Sequence, residues 1–298
     1  MPKAAIDIGS NSILLTIVGD DDQVLEDRVA VVGLGRGLGD RGLFRPDRME
    51  AAEAVLRDYV SVAAGHGVHP WSIRAVATSA ARRAMNAKTF FTRLQRDLGL
   101  KARIITGDEE ARLTWAGALR DLDTPAGALL VVDLGGGSTE LVCGDQADSA
   151  IRVSLEVGSV RLTEAFFTDE VVTSRQLSQA RQHVDGLMKP IALPTAPRMV
   201  IGVAGTVTTL HAMAAGLQTY DADVVHGGRL TRTDLAHAID RLLPTTAEQR
   251  RTMAAVAPDR ADYLLAGALI LDRVLALARR PALIVSDRGL RYGVLAQP

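Results

Sequence analysis

Short apolar blocks punctuated by glycine-rich turns organise the first thirty residues. Ala4–Asp7 reads as a strand, Gly9–Ser12 as a tight turn and Ile13–Val18 as a second strand. Gly19–Asp22 then supplies a hairpin turn, and Gln23–Val32 alternates apolar and polar residues like a third strand. The same grammar returns from Ala128: strand Leu129–Asp133, turn Gly135–Ser138, strand Thr139–Cys143, turn Gly144–Asp148, strand Ser149–Val157. In both copies an aspartate ends the first strand and a serine follows five positions later, Asp7 to Ser12 and Asp133 to Ser138. A strand–loop–strand–turn–strand unit occurring twice predicts a duplicated domain with a cleft between the copies.

Helical periodicity fills the spaces between these units. Pro46 opens a run in which Met49, Ala52, Val55, Leu56, Tyr59 and Val60 recur at helical spacing until Gly65. Trp71–Ala77 reads as a strand and Thr78–Ala80 as a capped helix start; Ala102–Thr106 is a strand, and Gly107 opens a helix over Asp108–Arg120. Further on, helices are expected at Ser174–Met188, Val207–Ala215, Thr231–Leu243 and Asp259–Ala278, with strands at Arg198–Val203 and Ala282–Ser286. Strands alternating with helices define an α/β protein. The stretch Asp121–Ala126, which contains Pro125, marks the joint, giving domains 1–124 and 125–298.

Composition narrows the class. Among 298 residues, 47% are hydrophobic and 23% charged, as in ordinary globular chains, which argues against disorder. Lys plus Arg (34) nearly balance Asp plus Glu (35), so no global basic field points to nucleic acid. The single cysteine, Cys143, excludes an internal disulfide and fits a reducing cytoplasm. The six histidines show no metal-ligand spacing with it. No secretory signal opens the chain, and the run Tyr263–Ala278, broken by Asp272 and Arg273, is too short and too charged for a membrane span.

Three loops carry the candidate chemistry. Glycines and hydroxyl residues let backbone N–H groups approach phosphate oxygens, and a strand-terminal aspartate can hold a divalent cation against them. Either of the paired loops alone is what any tight turn uses; the matched pair points to phosphate. The third, Gly202–Thr209, turns a strand into a helix whose N-terminus attracts anions, although its threonines also serve as simple caps. Glu109 and Glu110 stand in a first helical turn, where acidic residues ordinarily stabilise the dipole, and either one projecting inward would be a general base. Strand alternation puts Glu140 on one face with Ser138, beside the second loop. Arg82 and Arg83 lie on the helix after Thr78–Ala80, either solvated or facing phosphate.

Taken together, these residues resemble the exopolyphosphatase / guanosine pentaphosphate phosphohydrolase family of the actin, sugar kinase and Hsp70-like ATPase superfamily. The matching stretches are Ala5–Ser12, Ala77–Ala80 with Arg82 and Asn86, Gly107–Leu113, Val132–Leu141, Gly158–Leu162, Gly202–Thr209, Arg260–Asp262 with Gly267, and Ser286–Arg291. They keep the family's order over essentially the whole chain. The resemblance implies two RNase H-like (actin-like ATPase) domains of a duplicated unit, with residues 290–298 returning to pack on the first. It is closest to the short, two-domain members without an HD-type helical extension.

By motif position the resemblance implies that Glu110 is the catalytic base and Glu140 its partner carboxylate. Ser10, Asn11, Ser12, Arg82, Gly136, Gly137, Ser138, Gly205 and Thr206 would bind phosphate, and Asp133 and Asp7 a metal, Mg²⁺ or Mn²⁺. The implied reaction is hydrolysis of the terminal phosphoanhydride of inorganic polyphosphate. Guanosine pentaphosphate (pppGpp) is the alternative substrate, and an ATP-dependent phosphotransferase or a non-catalytic polyphosphate or alarmone sensor the more distant readings. Relatives further imply a homodimer, while the lone cysteine is read as cytoplasmic and the charge balance and lack of an apolar span as excluding nucleic acid and membrane as partners. Some positions depart from the family pattern: Leu14 stands where members carry Arg or His, Gly33 replaces an arginine with Arg36 nearby, and the closing element reads Leu290–Gly293 with Tyr292 for Glu.

Overall fold

The computed structural model describes the whole chain except residues 39–41, 146–148, 194–195, 259 and 298, so part of the expected turn Gly144–Asp148 and the expected helix start at Asp259 lie outside the described residues. The chain divides into two compact units: Met1–Gly117 together with the segment from Leu290 onward, and Ala118–Gly289.

In the first unit, β1 (Lys3–Ile8), β2 (Ser12–Val18) and β3 (Val24–Val31) form an antiparallel meander. The helix α1 (Pro46–Gly65) follows, with Pro46 in its first turn as the sequence predicts. Next come β4 (Arg74–Ala77), a short helix α2 (Ser79–Arg83), α3 (Ala87–Leu98), β5 (Ala102–Ile104) and α4 (Gly107–Ala118). The sheet order is β3-β2-β1-β4-β5, with β4 and β5 parallel to β1. The strand expected over Trp71–Ala77 is shorter: Pro70–Ser72 forms a 3₁₀ turn that leaves Trp71 72% exposed, because Pro70 has no N–H for a ladder. Helix α3, which the sequence reading does not place, buries Phe90, Phe91 and Leu94 on one stripe.

Strand alternation gives this sheet two cores. Ala4, Ile6, Ile8, Ile13, Leu15 and Ile17 pack with α1 and α3. Ala5, Val18, Val76 and Ile105 pack on the other face with Leu113 of α4. Asp7 shares the face of Ala5 and therefore points toward the α4 side, a consequence of the period-two side-chain alternation.

The second unit repeats the meander as β6 (Leu129–Leu134), β7 (Thr139–Gly144) and β8 (Ser149–Leu155). It continues with α5 (Ser159–Phe166), α6 (Ser174–Met188), β9 (Met199–Val203), α7 (Gly205–Ala214), α8 (Ala222–Val225), β10 (Arg229–Thr231), α9 (Arg232–Leu242), α10 (Ala247–Arg251), α11 (Leu264–Leu277) and β11 (Ala282–Val285). Its sheet order is β10-β11-β9-β6-β7-β8. Helix α6 starts at a capping box in which Thr173 and Gln176 satisfy each other's backbone donors. Helix α11 is apolar all round and buries Leu264 to Leu271, Val274 and Leu275, as a central core helix must. The helix expected from Asp259 begins later, after a 3₁₀ turn over Ala261–Tyr263.

The last helix, α12 (Leu290–Ala296), belongs to the first unit. Leu290, Val294 and Leu295 join the core beneath Ala5 and Val76. Arg291, only 7% exposed, donates to Leu15 O at 3.1 Å and to Asp27, and Tyr292 Oη donates to Asp27 Oδ2 at 3.2 Å. Gly293 lets α12 touch the backbone of α4, because a Cβ there would run into Leu113 O and C. Gly293→Ala is therefore expected to destabilise the first unit by about 1–3 kcal/mol through overpacking. Chemical denaturation followed by circular dichroism measures this; an unchanged midpoint would remove α12 from the account of this core.

Candidate active site

The paired loops have the same internal geometry. Gly9 N donates to Ser12 O at 3.0 Å, and Gly135 N donates to Ser138 O at 3.0 Å. Each loop therefore closes on its serine, Ser12 at the first position of β2 and Ser138 just before β7, holding the residues between as a small arch of backbone amides. In the first loop the carbonyls are occupied from below: Val32 N and Gly33 N donate to Asn11 O at 2.9 and 2.8 Å, and Gly35 N donates to Ser10 O at 2.7 Å. In the second, the amides of Ser159, Val160 and Arg161 at the start of α5 donate to Gly135 O and Gly136 O. The α5 N-terminus thus braces the loop.

Around the first loop the structure gathers Asp7, Arg82 and Glu110, all expected site residues. The two glutamates of α4 separate cleanly. Glu109 pairs with Arg103 at 2.6 Å, and that guanidinium holds its carboxyl below the usual range. Glu110 is buried, only 8% exposed, and its Oε2 accepts from Arg82 Nη1 at 2.6 Å. Burial raises its pKa, opposed by the charge and hydrogen bond of Arg82 and by a hydrogen bond from Thr78. Arg82 is fixed in turn by Ile105 O at 3.1 Å.

Asp7 is half-buried, and its Oδ1, itself out of solvent, has no hydrogen-bond partner. Burial and the neighbouring Glu110 charge push its pKa up to about 7, with Arg291 of α12 opposing. Arg291 and Thr78 act here, although the sequence gives Arg291 no role and Thr78 only that of a helix cap, which its side chain does not fill. Their signal is present only as membership of the Ala77–Ala80 and Ser286–Arg291 stretches. Asn86, by contrast, is a structural clamp: it accepts from Phe44 N at 2.9 Å and donates to Phe44 O at 3.0 Å.

In the second unit the ladder pairs Asp133 with Glu140 directly across β6 and β7. The first unit pairs Asp7 with Leu14 in the same register. The duplication is thus asymmetric, a carboxylate standing in one copy where the other has leucine. Glu140 is 9% exposed and accepts from Ser154 Oγ at 3.0 Å. The Gly136–Ser138 arch caps this pair, with Ser138 buried. Asp133 also lies beside Val203 of β9, so the second and third loops leave neighbouring strand ends.

Gly205 and Thr206 open α7, where the first helical amides lack intrahelical acceptors. Arg260 Nη1 donates to Gly205 O at 3.0 Å and steadies that turn. Ala204, which precedes it, has φ 80° and ψ 163°, a region essentially reserved for glycine and costing about 1–3 kcal/mol. Ala204→Gly should therefore raise the melting temperature by a few degrees, read by scanning calorimetry; a lower value would show the turn unstrained.

Among the described residues no three His, Cys, Asp or Glu side chains cluster as a ready-made metal cage, and no helix is long and apolar enough to cross a membrane. Two sheets, each opening on the same three-strand meander with a hydrogen-bonded glycine–serine turn after its first strand, define a protein of the actin-like ATPase fold. The Ppx/GppA phosphatase family model matches residues 16–297, and the chain belongs to that family. It is 36% identical to exopolyphosphatase 2 of Mycobacterium tuberculosis, over 98% of this chain and 96% of that one. An exopolyphosphatase crystal structure from Cytophaga hutchinsonii superposes with a TM-score of 0.90 at 25% identity, covering 99% of this chain and 96% of the other. The Aquifex aeolicus member of the family gives 0.83 at 34% identity, covering 99% and 96%. The protein is accordingly a phosphatase-type hydrolase.

Proposed function

We propose that the protein is an exopolyphosphatase, removing orthophosphate from the end of inorganic polyphosphate. The observation that carries the reading is the buried Glu110 carboxylate, held by Arg82 beside the Ser10–Ser12 arch. Relatives bearing the exopolyphosphatase name over nearly their full length support it. In this reading Glu110 accepts a proton from water as its oxygen bonds to the terminal phosphorus. The bridging P–O bond breaks, and its electron pair leaves on the shortened chain. Ser10, Asn11, Ser12, Gly136, Gly137, Ser138, Gly205 and Thr206 bind phosphate oxygens, and Arg82 orients the base while offering charge to the same oxygens. Glu140, hydrogen-bonded by Ser154, serves as the second carboxylate.

The residues present fit a divalent cation. Mg²⁺ typically takes one or two protein carboxylates and completes its shell with water and phosphate oxygens, so a three-residue cage is not required. Asp7, with a buried oxygen lacking a partner, is the residue of the first unit that would hold one, and Asp133, opposite Glu140, that of the second. The ion supplies neutralisation of the phosphate charge. With Mg²⁺ and medium-chain polyphosphate, orthophosphate is expected to be the sole early product. Intermediate chain lengths accumulating first would indicate internal cleavage and overturn the reading.

A further inference from the structure

At the end of the second unit's sheet away from its phosphate loops, three arginines line one groove without an acid among them. The groove, of about 210 Å³, is formed by Arg198, Arg229 and Arg280 with apolar residues that include Met199, Pro281 and Ile284. Arg198 immediately precedes β9, Arg280 lies just before β11, and Arg229 opens β10 directly opposite Ile284. These three strands are neighbours in the sheet. Ile284 is also in register with Ile201, which lies one alternation beyond Met199, so Arg229, Ile284 and Met199 share a face. The third loop leaves the far end of β9, whose five residues put about 16 Å of strand between it and Arg198.

The partners of these arginines point to a missing anion. Arg280 Nε donates to Pro197 O, which fixes that side chain by one nitrogen. The stem of Arg198 lies along Gly127, where a Cβ would stand 3.2 Å from its Nε and 3.3 Å from its Cδ. Arg198 and Arg229 are exposed, and among the described residues no carboxylate pairs with any of the three. Elsewhere in the unit Arg232, Arg251, Arg273 and Arg288 each meet an aspartate. Like charges on adjacent strands repel one another, and an anion between them relieves the repulsion.

The lining also says which anion. Its side chains are donors or apolar: no Asp, Glu, Asn, Gln, Ser or Thr is there to accept from a sugar hydroxyl or a base amine, and no aromatic ring to stack on a base. A condensed phosphate presents only acceptors, and forked guanidinium donors suit its oxygens. With strands about 4.8 Å apart, the three charges spread over about 10 Å, which fits several linked phosphates better than one. A net charge of -1 gives the chain no general attraction for a polyanion, so a local row of cations has to supply it. We propose that Arg198, Arg229 and Arg280 form a second polyphosphate-binding site, on the second unit and apart from its phosphate loops. The ligand class rests on the donor-only lining, and the choice of polyphosphate rests on the exopolyphosphatase reading.

Medium-chain polyphosphate is titrated calorimetrically into Glu110→Gln protein, in which turnover is suppressed, and into the same protein carrying Arg198→Gln/Arg229→Gln. Melting temperatures are measured alongside. The groove pair is expected to weaken binding about tenfold at low salt, a modest loss for two charge-assisted contacts because both arginines are exposed and screened. Arg175→Gln/Arg181→Gln, which removes two exposed charges from α6, should weaken it less than about twofold. Arg198→Lys/Arg229→Lys keeps the charge and should recover part of the loss. Undiminished affinity in the groove pair, or equal losses in the groove and α6 pairs, overturns the proposal. So does a loss that lysine does not recover and that comes with a lowered melting temperature. Orthophosphate titrated in place of the chain should bind alike in every variant; an orthophosphate affinity that falls with the groove pair as the chain's does would overturn the claim for a chain. Orthophosphate release by protein with Glu110 intact separates this from failure of the functional reading. If none is released while the groove pair still costs about tenfold in binding, the site stands and the enzymatic reading falls. Release together with undiminished affinity in the groove pair keeps the enzyme and removes the site.

Discussion

Glu110→Gln is expected to lower kcat for orthophosphate release by about 10²–10⁴-fold, the usual worth of a positioned general base. Glutamine keeps the size of the side chain and an acceptor for Arg82 Nη1, so the 2.6 Å contact and the fold are expected to survive while the basic oxygen is lost. Glu109→Gln is the internal control. Its carboxylate is spent on Arg103 away from Arg82, and its loss should change kcat by less than about twofold, as surface ion pairs contribute little. The pH profile follows from the direction of the shift. A base works when ionised, and burial raises the pKa of Glu110, so the acidic limb of kcat/KM should lie above the ordinary carboxylate range. A profile flat down to that range, or equal losses in Glu109→Gln and Glu110→Gln, would detach Glu110 from the chemistry.

Asp7→Asn should have the largest effect on stability. One carboxylate oxygen lies out of solvent with no hydrogen-bond partner, and the pKa is raised from 3.8 to about 7. An acid whose folded pKa is raised binds more protons folded than unfolded, so stability falls as pH climbs from the unfolded value through the folded one. The full cost is present above about pH 7 and absent below about pH 4. By the usual conversion it is on the order of 4 kcal/mol. In metal-free protein at pH 8, Asp7→Asn should therefore be more stable than the parent, with the difference vanishing near pH 4. Adding Mg²⁺ should narrow the gap by stabilising the parent and leaving the variant unmoved. A variant no more stable than the parent at pH 8 would mean that the buried charge is already balanced and that no cation is needed there.

Much of this was legible in the chain because the relevant physics is local. The glycine–serine loops, the aspartates one residue before the ends of β1 and β6, and Pro46 at the head of α1 are short-range signals. Duplication made the loops readable as a pair, and the motif singled out Glu110. Composition could not do so, since two adjacent acids in a first helical turn look alike until Arg103 takes one and Arg82 the other. What sequence patterns could not reach is long-range. Nothing near Asp7 in the chain announces that the charge of Arg291 acts on it, because that depends on α12 belonging to the first unit and on Gly293 meeting Leu113. The packing of Arg36 has the same character. Gly33 reads as a departure from the family pattern, and only packing reveals that Arg36 lies over it. Trp71 was misplaced for the opposite reason: its β-propensity is real, and the adjacent Pro70 overrides it.

The most direct test of the central claim is orthophosphate release by the purified protein with Mg²⁺, from medium-chain polyphosphate and from pppGpp at equal concentrations, with Glu110→Gln in parallel. The account predicts faster release from polyphosphate, lost in the variant. Release from pppGpp alone, or release that the variant retains, would contradict it.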